Sequence, residues 1–317
     1  MKEYILKRVL RSIPLVFGLT TVVFFLLTVL PGNPAANLQG MYATPETTEY
    51  LIHKWGLDQP APVRYVKWLW SMVRLDFGKS LFTNRPVLPQ VARNLFNSLY
   101  LGFFAIALGP FISIPAGILS AVKRHSNWDY LVTILVLIGV SMPLFWTALL
   151  LQLGISVKLG LLPVSGMGEG FFSLERLRHL ILPVTAVIFA GAAMDSRVIR
   201  SSMLEVINRE FILTARSKGL REASVLLRHA LPNAFLPAFT MIGLHFRAIL
   251  GGLLVAEVVF SWPGIGRLFY EAILARDYPV IQACSLAISI GVFTVNLLVD
   301  IGYAYIDPRI RFEAQID

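Results

Sequence analysis

Apolar residues in this chain form long uninterrupted runs, unlike the spaced positions that give a soluble helix or strand one buried face. The two longest runs, residues 95–122 and 131–157, contain no charged side chain. About 20 helical residues cross the roughly 30 Å of hydrocarbon in a bilayer, so each run is long enough to span it. The pattern predicts transmembrane helices.

Four further runs extend the prediction to six spans, at residues 12–30, 180–194, 248–260 with its flanks, and 280–299. The first run follows a basic start, which is also a feature of signal peptides. It is longer than the roughly 7–15 apolar residues of a cleaved signal, so we interpret it as a span and keep a signal peptide as the alternative. The predicted fold class is an all-α membrane protein with six transmembrane helices.

The composition agrees with a membrane protein and excludes two kinds of cysteine chemistry. Hydrophobic residues make up 56% of the 317 residues and charged residues only 15%, whereas a soluble domain is roughly one quarter charged. The single cysteine, Cys284, excludes an internal disulfide and a cysteine metal cluster. We interpret it as a small packing residue.

The net charge of +9 has a topological explanation, because basic residues mark the cytoplasmic side of short loops. Fifteen Lys and Arg residues fall in the two termini and in the links after spans two and four, whereas five fall in the short links on the other side. Both termini and residues 197–233 are therefore predicted to be cytoplasmic, and residues 31–94 to be outside. The basic balance does not indicate a nucleic-acid partner.

Residues 31–94 are too long to be a simple connection. The sequence Thr44-Pro45-Glu46 supplies the capping hydroxyl, proline and acid that begin a helix. Trp55, Trp68 and Trp70 favour a small cap lying on the outer membrane face, since indoles prefer the interface. Ordinary packing within an extracellular subdomain explains the same tryptophans.

Residues 197–233 form the second long segment between spans. Ile207, Phe211 and Ala215 recur at four-residue spacing, which predicts one face of a short amphipathic helix. A chain that only returned to the membrane would need a few residues here. The length of the segment therefore indicates a partner.

The end of this helix is indicated by Lys218 and Gly219, because glycine takes the positive φ of a helix C-cap. A second short helix is predicted over residues 221–230, with Pro232 beyond it. Two helices joined by a glycine corner make a compact knob for a partner protein. The alternative is an amphipathic pair resting on the inner leaflet.

This segment resembles the "EAA" loop of ABC importer permeases, whose pattern is Glu-Ala-Ala, three residues, Gly, nine residues, Ile, one residue, Leu-Pro. The positions that match at the right spacing are Ala215, Gly219, Leu231 and Pro232. The positions that depart from it are Leu213, Thr214 and His229.

A wider resemblance covers nearly the whole chain, to the branch of that family that imports dipeptides, oligopeptides and nickel. It is carried by Gly56-Leu57-Asp58-Gln59-Pro60, Leu75-Asp76-Phe77-Gly78, Ser141-Met142-Pro143-Leu144-Phe145-Trp146, Thr214-Ala215-Arg216-Ser217-Lys218-Gly219-Leu220, Phe260-Ser261-Trp262-Pro263-Gly264-Ile265-Gly266-Arg267, Arg276-Asp277-Tyr278-Pro279-Val280-Ile281-Gln282 and Asp307-Pro308-Arg309-Ile310-Arg311. The resemblance implies the permease fold of ABC type I importers, with an extracellular cap after the first span, and the first of two permease subunits.

The resemblance also implies the partners. They are a second homologous permease, two ATP-binding subunits, an extracytoplasmic substrate-binding protein and membrane lipid. This non-catalytic chain would be a multi-pass protein of the bacterial inner membrane, with ATP and Mg²⁺ bound by the ATPase subunits. No cofactor is expected in the chain itself, whose sequence has no Gly-x-x-x-x-Gly-Lys-Ser/Thr run.

In that family the short cytoplasmic helices dock in the ATPase and transmit its closure. The coupling residues implied here are Phe211, Thr214, Ala215, Arg216, Lys218, Gly219, Leu220, Leu231 and Pro232. The predicted organisation is a first span at 1–30, a cap at 31–94, a five-span core at 95–303 that contains the coupling loop 197–233, and a tail at 304–317.

His245 and Glu257 are candidate residues of the substrate path, because ionisable groups within spans are costly unless they serve a function. Imidazole also suits nickel, which makes His245 a candidate nickel ligand. The resemblance implies nickel, a nickel or metal chelate, or short peptides as the substrate. The alternative function is a secondary transporter or channel that acts without an ATPase. Such a transporter is expected to have charged residues in mid-span and discontinuous helices. The uncharged runs 95–122 and 131–157 indicate neither feature.

Overall fold

A computed structural model of the chain describes residues 2–29, 35, 44–171, 173–235 and 253–306. These residues are helical apart from turns, loops and an isolated antiparallel bridge between Lys79 and Pro86, which confirms the all-α class. The helices are α1 (Lys2–Val29), α2 (Pro45–Lys54), α3 (Ala61–Val73), α4 (Val87–Val122), α5 (Asn127–Ser141), α6 (Leu144–Leu151) with a π-helical continuation (Gln152–Lys158), α7 (Leu174–Ile207), α8 (Glu210–Ser217), α9 (Glu222–Ser224) with a π-helical continuation (Val225–Ala230), α10 (Ile265–Ala275) and α11 (Tyr278–Ile306). Residues 231–235 and 253–259 are also helical.

Three described helices are long and apolar enough to cross a bilayer by themselves, and they lie at the predicted spans one, two and six. They are Arg8–Val29 in α1, Val87–Val122, and Tyr278–Ile301 in α11. Two bent helix pairs lie at the predicted spans three and four, namely Asn127–Ser141 with Leu144–Lys158, and Leu174–Phe189 with Gly191–Ile207. The predicted fifth span begins in residues 236–252, outside the described residues. The described part of the chain therefore supports up to five spans.

The predicted third span, residues 131–157, is not one continuous helix, contrary to the sequence expectation. The axes of its two parts differ by 112°. The break lies at Met142 and Pro143, because proline has no N–H to donate and disfavours helical backbone at the residue before it. Met142 is accordingly extended, with φ −87° and ψ 125°.

The helix α7 is longer than the predicted fourth span, residues 180–194. It begins after Ser173, whose hydroxyl accepts a 3.1 Å hydrogen bond from the Arg176 N–H, and it continues to Ile207. Arg197 and Arg200, assigned from the sequence to the following loop, therefore lie on the helix. The segment 197–233 begins inside α7.

One compact unit contains Met1–Ser98 and Pro263–Asp317. Its core packs α1, the start of α4, α10 and α11 together, around buried Leu27, Val87, Val91, Ile265, Leu268 and Cys284. Arg8 of α1 forms an ion pair with Asp300 of α11. Cys284 is wholly buried, which confirms it as a packing residue.

The other compact unit contains Leu99–Trp262. Its part of α4 and α5 both lie tightly against α7 at glycines. A Cβ on Gly117 would come within 2.7 Å of the Ser196 carbonyl oxygen, and a Cβ on Gly139 within 2.8 Å of the Ala193 Cβ. A larger side chain therefore has no room at either of these two positions.

The segment before α4 contains α2 and α3. Thr44 caps α2 as predicted: its hydroxyl accepts a 3.3 Å hydrogen bond from the Thr47 N–H, and the Thr47 hydroxyl accepts one of 3.3 Å from the Thr44 N–H. Trp68 of α3 packs on Phe24 of α1, with ring centroids 5.3 Å apart, whereas Trp70 is exposed. Packing thus explains Trp68, whereas the ring of Trp70 is exposed and is contacted by the Arg74 guanidinium at 4.4 Å from its centroid.

Candidate functional site

The knob consists of α8, the corner after it, and α9 with its π-helical continuation, residues 210–230. It follows α7 after a short break at Asn208 and Arg209, where Arg209 is extended with ψ 149°. The Arg209 guanidinium donates a hydrogen bond of 2.5 Å back to Glu205 on α7. A helix, a glycine corner and a second helix are present here, as the sequence predicts.

The buried face of the knob differs from the predicted one. Ile212 and Ala215 point inward, whereas Phe211 is exposed. Ile207 belongs to α7, and the break at Asn208 and Arg209 separates it from Phe211. The four-residue spacing therefore crosses a helix boundary, and the three residues do not share one face.

The inward side chains of the knob pack on the ends of two long helices. The cluster contains Ala121 of α4, Ile199 and Met203 of α7, and Ile212, Ala215, Val225 and Ala230 of the knob, all buried, together with Ala234. A rigid, apolar contact of this kind makes the knob continuous with α4 and α7. The knob is therefore packed directly on the ends of both helices.

The corner of the knob depends on Gly219. Lys218 ends the helix with φ −75° and ψ 1°, and Gly219 follows with φ +74°. The Gly219 N–H donates a 2.9 Å hydrogen bond to the Arg216 carbonyl oxygen. An added Cβ would meet nothing within 4 Å, so the need for glycine comes from backbone conformation and not from crowding.

An ion pair braces the two arms across this corner. Arg216 donates hydrogen bonds of 3.2 Å from Nε and 2.7 Å from Nη2 to the two carboxylate oxygens of Glu222. These hydrogen bonds hold the pKa of Glu222 below its usual value and raise the pKa of Arg216. Both groups stay charged near neutral pH, so the brace is formed there.

The outward side of the knob is apolar with a basic component. Its exposed apolar side chains are Phe211, Leu213, Leu220 and Leu227. Thr214, Lys218 and Arg221 are exposed beside them, Leu231 is half-buried, and Pro232 is exposed. Such a surface is suited to contact with another protein.

The two candidate residues of the substrate path are not brought together by the described residues. Glu257 lies in the helical residues 253–259 and is buried, with its carbonyl oxygen accepting a 2.9 Å hydrogen bond from the Trp262 N–H. His245 lies outside the described residues. Its role, like that of Glu257, stays a prediction.

Sequence reasoning missed two polar contacts between residues far apart in the chain. Asp277 accepts hydrogen bonds from the Ser80 hydroxyl at 2.5 Å and the Leu81 N–H at 3.1 Å. Asp129 accepts two from Arg200. A sequence signal existed for the first contact. Asp277 belongs to one motif of the resemblance, residues 276–282, and Ser80 and Leu81 closely follow another, residues 75–78. No rule of sequence spacing predicts the contact between Asp129 and Arg200, which lie on different helices.

Two family profiles match this chain. The profile for the binding-protein-dependent transport system inner membrane component matches residues 113–312, and the N-terminal profile for the membrane component of such systems matches residues 1–96. Between them they account for most of the chain.

Individual relatives align over almost the full length. The oligopeptide transport system permease protein AppB of Bacillus subtilis (strain 168) is 40% identical over 316 residues, which cover 98% of this chain and 100% of that protein. The dipeptide transport system permease protein DppB of Alkalihalophilus pseudofirmus is 38% identical over 333 residues, with coverage of 98% and 100%.

Solved structures share the fold. A chain of the inward-facing MetNI methionine ABC transporter matches with a TM-score of 0.56 at 16% identity, covering 70% of this chain and 98% of that chain. A chain of an amino acid ABC transporter crystallised with histidines matches with a TM-score of 0.52 at 16% identity, covering 67% and 92%. At such identity the likeness concerns the fold alone.

Proposed function

The chain belongs to the family of binding-protein-dependent transport system inner membrane components, the permease subunits of bacterial ABC importers, and from that premise we propose that it takes up short peptides. The single observation that supports peptides as the substrate is the near-complete alignment with an oligopeptide and a dipeptide permease at 40% and 38% identity. The chain is a non-catalytic membrane subunit, and ATP hydrolysis belongs to a separate subunit of the importer.

The assembly we propose has two homologous permeases, two ATP-binding subunits and an extracytoplasmic binding protein that delivers the peptide. Both termini and the knob face the cytoplasm in this proposal, and residues 31–94 lie outside. The distribution of Lys and Arg among the short links supports this orientation.

The knob is the proposed contact with the ATPase. Its exposed apolar residues Phe211, Leu213 and Leu220 supply a surface to bury, and the brace between Arg216 and Glu222 keeps that surface in one shape. Its inward residues are packed on α4 and α7. Closure of the ATPase would therefore move the inner ends of two transmembrane helices together.

Nickel gains no support as the substrate. The relatives that align over the full chain carry peptide names. Among the described residues no group of three or more His, Cys, Asp or Glu side chains could hold a metal ion. Peptides are therefore the class that we retain.

A transporter without an ATPase is excluded by family membership and not by helix continuity. Discontinuous helices are expected of such a transporter, and the uncharged runs 95–122 and 131–157 predicted none. The chain breaks between α5 and α6, within the predicted third span, so helix continuity does not distinguish the two functions. The profile matches decide the question in its place.

A strain that lacks this chain tests the substrate. We expect uptake of labelled dipeptides and oligopeptides to fall and cellular nickel content to stay at the parental value, with uptake restored by a plasmid copy of the chain. Loss of nickel with unchanged peptide uptake would overturn the proposal.

A further inference from the structure

The helix α3 carries three parallel strips of side chains. Positions 65, 68 and 72 form one strip, 63, 66, 70 and 73 a second, and 64, 67, 71 and 74 a third. Alternate steps of three and four residues keep each strip on one side of a helix. The third strip lies about 100° from each of the other two, so the first and second strips are on nearly opposite sides. Each strip has its own chemistry.

The first strip packs on α1. Tyr65 and Trp68 lie against Phe24, each with ring centroids 5.3 Å away, and Tyr65 also stacks on Phe25 at 5.3 Å. The Tyr65 and Thr21 hydroxyls are 2.9 Å apart and hydrogen-bonded. These contacts fall on one turn of α1, so they fix the point at which α3 meets the span.

That point lies at membrane depth. Residues 21–25 belong to the C-terminal half of the apolar span Arg8–Val29. A helix that touches this turn directly lies beside the hydrocarbon or at its boundary, not in bulk water. The leaflet concerned is the one that surrounds the C-terminal half of α1.

The second strip is apolar and uncovered. Val63, Val66, Trp70 and Val73 are 44%, 63%, 57% and 69% exposed. Three valines and a tryptophan in a row form a surface that water disfavours and acyl chains accept. The tryptophan suits the boundary between hydrocarbon and headgroups.

The third strip is basic. It contains Arg64, Lys67, Ser71 and Arg74, and residues 61–74 include no acidic side chain. The Arg74 guanidinium lies over the Trp70 ring, 4.4 Å from its centroid. A positive strip next to an apolar one matches the phosphates above the acyl chains, and this complementarity favours lipid over a second apolar protein surface.

We propose that α3 is a membrane-interface helix: its apolar strip lies among phospholipid acyl chains, and its basic strip lies at the level of the headgroup phosphates. The helix thereby anchors the segment before α4 in the bilayer and holds it against α1. This inference requires only that α1 spans the membrane, and it is independent of the transported substrate.

The test compares two adjacent positions. Single cysteines replace Val66 and Lys67 in a Cys284→Ala background, carry nitroxide labels, and are studied in the assembled importer in vesicles of phosphatidylethanolamine and phosphatidylglycerol. Collision rates are measured with oxygen, which partitions into hydrocarbon, and with water-soluble chromium oxalate. We expect oxygen to dominate at position 66 and chromium oxalate at position 67.

Two results would overturn the proposal. Dominance of chromium oxalate at both positions would place the apolar strip in water. Immobilisation of the label at position 66, with protection from both reagents, would mean that a protein partner covers the strip. Should the Val66 variant fail to accumulate, Val73 and Ser71 provide the same comparison on the same two strips.

Discussion

Arg200 of α7 donates hydrogen bonds of 3.0 Å from Nε and of 3.0 Å from Nη2 to the two carboxylate oxygens of Asp129 on α5. Asp129 is only 4% exposed and also accepts hydrogen bonds from the Ser120 hydroxyl and from the His125 N–H. The ion pair therefore joins α4, α5 and α7 at the same end as the knob.

We expect Arg200→Ala to destabilise the importer, because it leaves the buried Asp129 carboxylate without its cation. Removal of one partner from a buried pair costs about 3–5 kcal/mol. The lower end applies here, since the Arg200 side chain is 31% exposed. Thermal unfolding of the purified complex and its abundance in membranes measure the effect.

The matched control is Arg209→Ala. Its partner Glu205 lies four residues earlier, and the two side chains are 60% and 69% exposed. An exposed helix pair contributes roughly 0.3–0.5 kcal/mol, so this variant should unfold close to the parental temperature. Equal losses in the two variants would contradict the role given to burial of Asp129.

Gly219→Val should uncouple the importer without removing it from the membrane. Valine at φ +74° is strained by about 1 kcal/mol or more, which tilts the arms of the knob but does not unfold the spans. We expect normal abundance, a sharp fall in peptide uptake and loss of substrate-stimulated ATP hydrolysis.

Gly160→Val is the control for backbone strain. Gly160 has φ +63° and, like Gly219, has open space where a Cβ would be, but it lies after α6 and not in the knob. This variant should transport near the parental rate. If both variants transport normally, the corner is not part of the coupling.

The proposed orientation is tested by thiol labelling in intact cells. Glu49 and Ala223 are exposed, and the native Cys284 is buried. In a Cys284→Ala background, a membrane-impermeant maleimide should label Glu49→Cys in intact cells, and Ala223→Cys only after the membrane is opened. The reverse pattern would refute the orientation.

Acid should loosen the corner of the knob. The pKa of Glu222 is lower in the folded chain than when unfolded, because Arg216 donates hydrogen bonds to the carboxylate. The stabilisation is therefore complete above the unfolded pKa and is lost as pH falls through the folded pKa. At neutral pH, amide hydrogen exchange across residues 216–222 should be slower in the parent than in Glu222→Gln, and the two should converge in acid.

The expected difference is small. The Arg216 and Glu222 side chains are 36% and 53% exposed, so screening by water limits the brace to below about 1 kcal/mol, or roughly fivefold in exchange. Comparison of the two proteins at each pH cancels the chemical dependence of exchange on pH. A ratio that stays constant from neutral to acid pH argues against the brace.

The knob illustrates what local sequence could and could not predict. The corner at Gly219 followed from one residue type, because positive φ is a local property. The buried face did not follow, since a break at Asn208 and Arg209 resets the helical phase. Ile212 and Ala215 are the inward pair because they pack in one buried cluster with Met203 and Val225.

The spans show the same division. Runs without charge determined the membrane class and the approximate positions of the helices, because the cost of burying charge in hydrocarbon acts on each segment separately. These runs did not determine whether each helix is continuous. Pro143 was visible in the sequence, but the 112° angle between the two parts of the predicted third span depends on how α6 packs after the break.

By itself, the sequence determined the class, the family and the position of the glycine corner, because these depend on composition, motif order and single-residue backbone preferences. Only the tertiary structure decided that Asp129 meets Arg200 and that α3 has one strip on α1 and one uncovered. Such pairings join residues far apart in the chain, and their energies come from burial and geometry that no local pattern contains.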